Sequence, residues 1–179
     1  MPATTPLFVR PCFQQDLEIV QLIYAHHVLT GFGSFETEPP SVEEMTERWS
    51  AVVQNGWPYV LACAATDPSR VLGFGYAVQY RDRAAYAKTF EVSVYAGPTT
   101  QRQGVGTAIL TQLLLALREL NARTALAFIG DSANAASLRL HAKLGFQHVG
   151  VLRDVGEKLG RSLDVVIMQR NISRLRSAS

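Results

Sequence analysis

The chain has 179 residues, 47% of them apolar and 18% charged, with a net charge of +2. This length suits one domain with a substantial core, and the composition is that of a globular protein rather than a disordered chain. The small charge argues against nucleic acid as a partner, and no apolar run approaches the roughly 18 residues that a membrane span requires.

Two cysteines, Cys12 and Cys63, lie within or beside strand-like runs and show no CxxC spacing. We expect them to be buried free thiols, which are typical of a reducing compartment. The first 13 residues contain three prolines and no apolar segment of a secretory signal. These features together predict a cytoplasmic protein.

The first elements of the chain are a strand and two helices. Residues 7–9 are a short strand candidate, and residues 15–29 repeat apolar side chains at helical spacing. Ser41 and Glu44 form a capping box, which predicts that a second helix begins there and ends near residue 55.

The segment between these helices, residues 31–40, is too rich in Gly and Pro for regular structure, yet it contains two aromatic residues. Phe32 and Phe35 either plug the edge of the core, or one of them walls a small-molecule pocket. The residues alone leave both interpretations open.

A hairpin and a polar loop follow. Residues 58–66 and 71–80 have the composition of paired antiparallel strands, and we expect their turn at residues 67–69, Asp-Pro-Ser. The next loop contains Arg81 and Arg83. These two arginines are either ordinary surface charges or a clamp for a carboxylate-like oxyanion.

Residues 89–120 predict a strand, a tight turn and a helix. Side chains of the strand alternate between faces, so Phe90, Val92 and Val94 share one face, while Glu91 lies on the other. The strand therefore holds one acidic residue in an otherwise apolar setting.

The turn before the helix contains Gly104 and Gly106, where the backbone can approach a ligand without an intervening Cβ. The first turn of the helix offers unpaired N–H groups and the positive end of the helix dipole, which together favour phosphate. The spacing fits neither the dinucleotide fingerprint nor the nucleotide P-loop. Residues 101–106 have instead the spacing Gln-x-x-Gly-x-Gly.

The later strands complete the expected sheet. A stripe of leucines up to Leu120 predicts the helix. Residues 124–129 are predicted to form an apolar strand, and the right-handed crossover through the helix makes this strand parallel to the one that contains Glu91. Residues 146–152 and 163–170 are the final strands, and we expect a polar loop between them.

The last helix is predicted at residues 134–144. Asn134, Ser137 and His141 lie three and four residues apart, so they share one face of this helix. The polar tail after residue 172 is predicted to be disordered.

Taken together, several segments resemble the GCN5-related N-acetyltransferases, and more narrowly the phosphinothricin and methionine sulfoximine N-acetyltransferase branch. The resemblance extends over residues 9–170. The matching segments are Phe-Glu-Thr-Glu-Pro (35–39), Phe-Glu-Val-Ser-Val-Tyr (90–95), Gln-Arg-Gln-Gly-Val-Gly (101–106), Asn-Ala-Ala-Ser (134–137), Leu-His (140–141), Leu-Gly-Phe (144–146), Val-Gly-Glu-Lys-Leu-Gly-Arg (155–161) and Leu-Asp-Val (163–165).

The resemblance implies an α/β fold with a mixed, mostly antiparallel sheet of about seven strands flanked by helices. Two central parallel strands would splay apart and admit the pantetheine arm of acetyl-CoA. A single domain is implied over residues 7–172, followed by a flexible tail at residues 173–179. No metal is implied.

Contacts with acetyl-CoA are implied for the glycine turn, the central strand and the last helix. Backbone N–H groups from Arg102 to Thr107 would hold the pyrophosphate, and Asn134 would bind the pantetheine. The full implied set is Val94, Tyr95, Ala96, Arg102, Gln103, Gly104, Val105, Gly106, Thr107, Asn134 and Ser137.

The implied chemistry is proton transfer and attack of an amine on a thioester. Glu91, with a pKa raised by partial burial, is the expected base, and backbone N–H groups near Val92 would stabilise the oxyanion. His141 stands where most of the superfamily has tyrosine and would serve as an acid or share the role of base. Alternatively, His141 merely packs against its helix.

For the acceptor, the resemblance implies a glutamate-like or methionine-like amino acid, as in detoxification of phosphinothricin or methionine sulfoximine. The residues that match this pocket are Phe35, Arg81, Arg83, Tyr86, Val92 and Ser93. Ser162 replaces a common tryptophan, and residues 97–100 lack the usual basic and His residues. These departures loosen one wall and weaken cofactor binding slightly.

The resemblance also implies a homodimer. Two other functions remain open: acetylation of another amine or a peptide, and non-catalytic binding of acetyl-CoA by a regulator. The arginine pair argues against a peptide acceptor, and the presence of Glu91 and His141 argues against a regulator.

Overall fold

The computed structural model describes residues 6–100 and 103–172 of the chain. Its strands are β1 (Leu7–Pro11), β2 (Tyr59–Ala64), β3 (Asp67–Gln79), β4 (Thr89–Ala96), β5 (Thr124–Gly130), β6 (Gln147–Lys158) and β7 (Arg161–Asn171). They form one sheet in the order β1-β2-β3-β4-β5-β7-β6. Every neighbouring pair is antiparallel except β4 and β5. The predicted mixed, mostly antiparallel sheet is confirmed.

Two helices cover each face of the sheet. The helices are α1 (Leu17–Thr30), α2 (Val42–Gln54), α3 (Val105–Glu119) and α4 (Ala135–Lys143), with short 3-10 turns at Gln14–Asp16 and Ala84–Tyr86. Helices α1 and α2 pack on a buried cluster that includes Leu61 and Phe74, while α3 and α4 pack on a second cluster that includes Phe90 and Val92. The division follows the alternation of strand side chains, which puts Glu91 on the face of α1 and α2.

Two glycines of β3 let α3 lie unusually close to the sheet. A Cβ on Gly73 would lie 2.8 Å from Cγ1 of Val105, and one on Gly75 would lie 2.5 Å from Cγ2 of Ile109. The leucine stripe of α3 is buried as predicted through Leu117. It ends there, because Leu120 lies beyond the helix and is exposed.

The two central parallel strands separate along their length. Strands β4 and β5 pair only from Thr89 to Glu91, opposite residues 124–126. Beyond Glu91 the strands no longer hydrogen-bond to each other. The predicted splay is confirmed, and it opens toward the beginning of α3.

The predicted turn at residues 67–69 is wrong. The chain turns at residues 65 and 66, and Asp67 already begins β3. The carboxylate of Asp67 accepts hydrogen bonds from the backbone N and the Oγ of Ser69, at 3.1 and 2.6 Å. These bonds form a local turn inside the strand, and the β2–β3 register shifts there.

The predicted polar loop at residues 153–162 is also wrong. Strand β6 continues to Lys158, and the hairpin turns at Leu159 and Gly160, both with positive φ. An irregularity between Leu152 and Gly156 interrupts the alternation of side chains, so the segment does not have the pattern of a strand.

Other predictions concern the cysteines, the membrane and the tail. Cys12 and Cys63 are buried free thiols, as predicted. In the described part of the chain, no helix is long and apolar enough to cross a membrane. The tail at residues 173–179 lies outside the described residues.

Candidate active site

The gap between β4 and β5 opens into a central cavity of about 640 Å³. The cavity is lined by both faces of β4, because Val92 and Val94 reach it from one side and Ser93 and Tyr95 from the other. The ends of β5, α1, α3 and α4 complete its wall. An elongated ligand can therefore pass from one face of the sheet to the other through this gap.

The first turn of α3 forms one end of the central cavity. Gly104 caps this helix with φ of 81°, a left-handed conformation that favours glycine, and a Cβ there would meet nothing within 4 Å. The N–H groups that begin a helix lack partners within it, so they can bind an anion. Of the predicted phosphate-binding residues, the cavity is lined by Gly104, Val105, Gly106 and Thr107. Gln103 does not line it, and Arg102 lies outside the described residues.

The beginning of α4 forms the adjoining wall. Asn134 caps the helix, and its Oδ1 accepts a hydrogen bond from the backbone N of Ser137 at 3.2 Å. Because the carbonyl oxygen is used in this way, the amide N–H₂ of Asn134 is the part that can donate to a ligand. Ala96, like Asn134 and Ser137, lines the central cavity.

His141 lines the central cavity in a buried position. Its Nδ1 lies 2.9 Å from the carbonyl oxygen of Ser137, and because a carbonyl only accepts, Nδ1 carries the proton. Burial lowers the pKa of the imidazole. The neutral ring therefore has its lone pair on Nε2, which suits a proton acceptor better than an acid.

Glu91 lies in a second space, the Glu91 cleft, on the face of α1 and α2. The cleft measures about 400 Å³ and is lined by Phe35, Glu36, Tyr76 and Ser93, among others. Burial raises the pKa of the Glu91 carboxyl. Ser93 lines both the cleft and the central cavity, so the two spaces adjoin. Glu91 and His141 line different spaces, and they approach the junction from opposite sides.

Phe35 fits into a slot between two glycines. A Cβ on Gly130 would lie 2.9 Å from Cε1 of the ring, and a Cβ on Gly156 would lie 2.6 Å from Cδ2. Phe35 remains 38% exposed and lines the Glu91 cleft. Of the two interpretations of this residue, the structure favours the pocket wall.

The loop that carries Phe35 is held by a network that the sequence did not reveal. The hydroxyl of Tyr24 lies 2.9 Å from Oγ of Ser34 and donates to Glu36 at 3.0 Å, and Arg48 pairs with Glu36 at 2.7 Å. Nζ of the buried Lys158 donates to the carbonyl oxygen of Ser34 at 2.6 Å. Loss of hydration lowers the pKa of Lys158.

Arg81, Arg83 and Tyr86 line neither space within the single chain. Tyr86 packs edge-on against Tyr80, whose ring stacks on Phe128 of the cleft at 5.8 Å. Arg81 lies over the Tyr80 ring at 5.1 Å. The loop is thus fixed beside the cleft, and the proposed oxyanion clamp stays a prediction.

His27 is a further residue that sequence reasoning missed. Its Nε2 lies 2.8 Å from the carbonyl oxygen of Ala96, and the ring lines the central cavity. Burial lowers the pKa of His27. The sequence offered only its helical spacing, which does not distinguish a cavity residue from a core residue. Across residues 6–100 and 103–172, no group of three or more His, Cys, Asp or Glu could hold a metal.

Comparison with known proteins agrees with this architecture. Residues 21–146 match the Acetyltransferase (GNAT) family. The chain is 44% identical to a phosphinothricin N-acetyltransferase of Alcaligenes faecalis, over 92% of this chain and 82% of that protein. It is 31% identical to an L-methionine sulfoximine/L-methionine sulfone acetyltransferase of Pseudomonas paraeruginosa, over 95% of this chain and 97% of that protein.

A solved structure is also similar. The crystal structure of a GNAT superfamily phosphinothricin acetyltransferase from Sinorhizobium meliloti, in complex with AcCoA, matches with a TM-score of 0.88. The sequences are 36% identical, and the match covers 92% of this chain and 88% of the other.

Proposed function

Because this chain belongs to the acetyltransferase (GNAT) family, we propose that it is an acetyl-CoA-dependent N-acetyltransferase. Its acceptor is the α-amino group of a small amino acid of the phosphinothricin, methionine sulfoximine or methionine sulfone type. The observation that carries the proposal is the position of Glu91, half-buried where β4 and β5 part and open to a cleft that adjoins the central cavity. The relatives named above support the choice of acceptor.

Glu91 is the proposed base. The reaction forms a bond between the amino nitrogen and the acetyl carbon and breaks the carbon–sulfur bond. An ammonium nitrogen loses two protons in all: one passes to the base and then to solvent, and the other ends on the sulfur. An α-amino group has a pKa of about 7.7–8.0 and arrives largely as ammonium. The raised pKa of Glu91 brings the carboxylate closer to the amine in basicity, which favours proton transfer directly or through a water.

Acetyl-CoA supplies the activated acetyl group, and the residues of the central cavity fit it. The first-turn N–H groups of α3 provide a pyrophosphate site, and the amide of Asn134 is free to donate to the pantetheine. The edge of β4 from Val94 to Ala96, unpaired with β5, can pair with an extended arm. For Arg102 and Gln103, the proposed contact with the pyrophosphate rests only on the resemblance to the family.

His141 has the proposed role of a proton or hydrogen-bond acceptor on the cofactor side. Its Nδ1 proton is held by Ser137, so Nε2 is the atom available to the cavity. Backbone N–H groups from Val92 to Val94 are the proposed donors to the carbonyl oxygen of the reacting acetyl group.

The acceptor is proposed to lie in the Glu91 cleft, against Phe35 and Ser93. Arg81 and Arg83 would bind its carboxylate or phosphinate oxygens from the neighbouring loop, because a guanidinium pairs with such groups through two parallel hydrogen bonds. Tyr86 would support that loop through its contact with Tyr80.

We further propose a cytoplasmic homodimer in which residues 7–172 form one domain. Edge strand β6 and the turn that follows it support the dimer, because they carry four large, apolar and exposed side chains: Val149, Leu152, Val155 and Leu159. Such an edge favours pairing with a second chain. Sedimentation should give a dimer that Leu152→Lys weakens; a wild-type monomer at micromolar concentration would contradict the proposal.

The test of the activity is thiol release from acetyl-CoA with a panel of amines. The panel contains phosphinothricin, methionine sulfoximine, methionine sulfone, common amino acids, a polyamine and a short peptide. Activity confined to the polyamine or peptide would keep the acetyltransferase and overturn the acceptor. Binding of acetyl-CoA without turnover of any acceptor would favour the regulator.

The role of Glu91 is tested with Glu91→Gln and, as a matched control, Glu47→Gln on the exposed side of α2. We expect Glu91→Gln to lower kcat by about 10²-fold or more, with the Kd of acetyl-CoA nearly unchanged. The control should behave as wild type. Unchanged turnover of Glu91→Gln would remove this residue from the mechanism.

A further inference from the structure

A third space, which the proposed reaction does not use, lies between α2 and the sheet. This α2 cavity measures about 340 Å³, within the range of about 300–1,000 Å³ that is typical of small-molecule sites. Of its eleven lining residues, Arg48 and Asn55 are polar, four are aliphatic, and five are aromatic: Tyr24, Trp57, Tyr59, Phe74 and Tyr76. A cavity with this many aromatic and aliphatic residues accommodates an apolar guest.

The aromatic wall has a regular geometry. The rings of Tyr59, Phe74 and Tyr76 are nearly parallel, with angles of 7°, 20° and 15° between pairs and centroid separations of 5.1–6.5 Å. Aromatic rings pack favourably in offset stacks or edge to face. The three separations are similar, so the centroids form a triangle and the rings make an aromatic patch against which a guest ring in the cavity can pack.

Tyr59 adds one polar group to the cavity. The side chain is 5% exposed, and its hydroxyl makes no hydrogen bond with any residue in the described ranges. Within those ranges, every side-chain N or O that is closed off from solvent has a hydrogen-bond partner. Because the Tyr59 hydroxyl has no such partner, it must reach open space. The α2 cavity is the space that Tyr59 lines. A guest with a donor or acceptor at its far end would satisfy the hydroxyl.

The α2 cavity adjoins the Glu91 cleft. Tyr24 and Tyr76 line both spaces. Val78, which lines the cavity, lies opposite Glu91 in the β3–β4 ladder, and neighbouring strands are about 4.8 Å apart. The cavity wall thus begins one strand away from the proposed base.

We propose that the α2 cavity is a side-chain subsite of the acceptor site, and that it takes the aromatic ring of an amino acid whose α-amino group lies at Glu91. The proposal rests on the proposed function and extends its acceptors to the aromatic amino acids. L-tryptophan fits best, because its indole N–H can donate to the Tyr59 hydroxyl while the ring packs against the aromatic patch.

The test compares L-tryptophan, L-phenylalanine and methionine sulfone as acceptors. Ala51 lines the α2 cavity from an exposed position on α2, so Ala51→Phe fills the cavity without touching the Glu91 cleft. Val53, exposed on the same helix and not part of the cavity, gives Val53→Phe as the matched control. Tyr59→Phe removes only the hydroxyl.

We expect Ala51→Phe to lower kcat/KM for L-tryptophan by about 10-fold or more and for methionine sulfone less than about twofold. Tyr59→Phe should lower kcat/KM for L-tryptophan by about fivefold and leave L-phenylalanine unchanged. Val53→Phe should match wild type with all three acceptors.

Two results overturn the subsite and leave the proposed function intact. One is acetylation of methionine sulfone without acetylation of either aromatic amino acid. The other is equal turnover of L-tryptophan by wild type and Ala51→Phe. Failure to acetylate any amino acid overturns the proposed function, and the subsite with it.

Discussion

Replacing Gly156 by alanine should displace the Phe35 ring from its slot and so damage the proposed acceptor site. Gly156 lies in β6 with an ordinary negative or extended φ, so alanine adds no backbone strain. The added Cβ would lie 2.6 Å from Cδ2 of Phe35 and closer still to Cε2. Carbon atoms in favourable contact are about 3.5–4.0 Å apart, so the ring must move by about 1 Å or more.

The expected loss follows from that displacement. A misplacement of about 1 Å at a positioning residue costs roughly 10²-fold in rate. We therefore expect kcat/KM for methionine sulfone to fall by about 10²-fold, with the KM of acetyl-CoA unchanged. The ring is 38% exposed and can swing outward, so the free energy of unfolding should fall only by the lower part of the range of about 1–3 kcal/mol typical of overpacking.

The assay is initial-rate thiol release with either substrate varied, together with urea unfolding. Gly150→Ala is the matched control, because Gly150 lies in the same strand and a Cβ there would meet nothing within 4 Å. If the clash with Phe35 is the cause, Gly156→Ala combined with Phe35→Leu should be no worse than Phe35→Leu alone.

Wild-type kinetics for Gly156→Ala would refute the slot. Additive losses in the double variant would refute it too, because they would show that alanine acts through something other than the ring. An equal loss in Gly150→Ala would assign the effect to the strand as a whole.

Three further predictions concern charged groups. Arg83→Ala should raise the KM of methionine sulfone by about 10-fold or more with acetyl-CoA kinetics unchanged, and a change in acetyl-CoA binding alone would contradict the clamp. Lys158→Met removes the hydrogen bond to Ser34 in the loop that carries Phe35 and should raise the same KM by about 10-fold, while Lys143→Met, at an exposed position, should change neither KM. Burial lowers the pKa of both His27 and His141, so the unfolded chain binds protons that the folded chain does not. The urea midpoint of unfolding should therefore stay constant above pH ~6.5 and decline as the pH falls below it. If the same decline remains in His141→Gln and His27→Gln, the two histidines are not its cause.

Local features of the fold follow directly from the sequence. The capping box is an example: the backbone N of Glu44 donates to Oγ of Ser41 at 3.2 Å, and the backbone N of Ser41 donates to the Glu44 carboxylate at 2.8 Å. The alternation that separates Glu91 from Phe90 is equally local. Such features depend on residues a few positions apart, so their spacing is sufficient to predict them.

Features that depend on distant contacts could not be predicted. Lys158 is 124 residues from Ser34, the residue that it holds, and its surroundings have the composition of a solvated loop. The Phe35 slot needs Gly130 and Gly156, which only the folded sheet brings to the same ring. The prediction of a polar loop at residues 153–162 was wrong for a related reason. The irregular pairing before Gly156 depends on β7 and not on β6 alone.

The early parting of β4 and β5 gives this sheet an edge at its centre. Most sheets keep their slowest-exchanging amide hydrogens in the middle strands, where each backbone group is paired on both sides. Here the strands stop pairing after Glu91 and Leu126, so amides facing the gap beyond those residues are protected only when an extended molecule occupies it. A bound ligand thus takes the place of a missing strand. The same gap leaves backbone amides of the ligand-free protein open to hydrogen exchange in the middle of the sheet, where a protein of this size is ordinarily most protected.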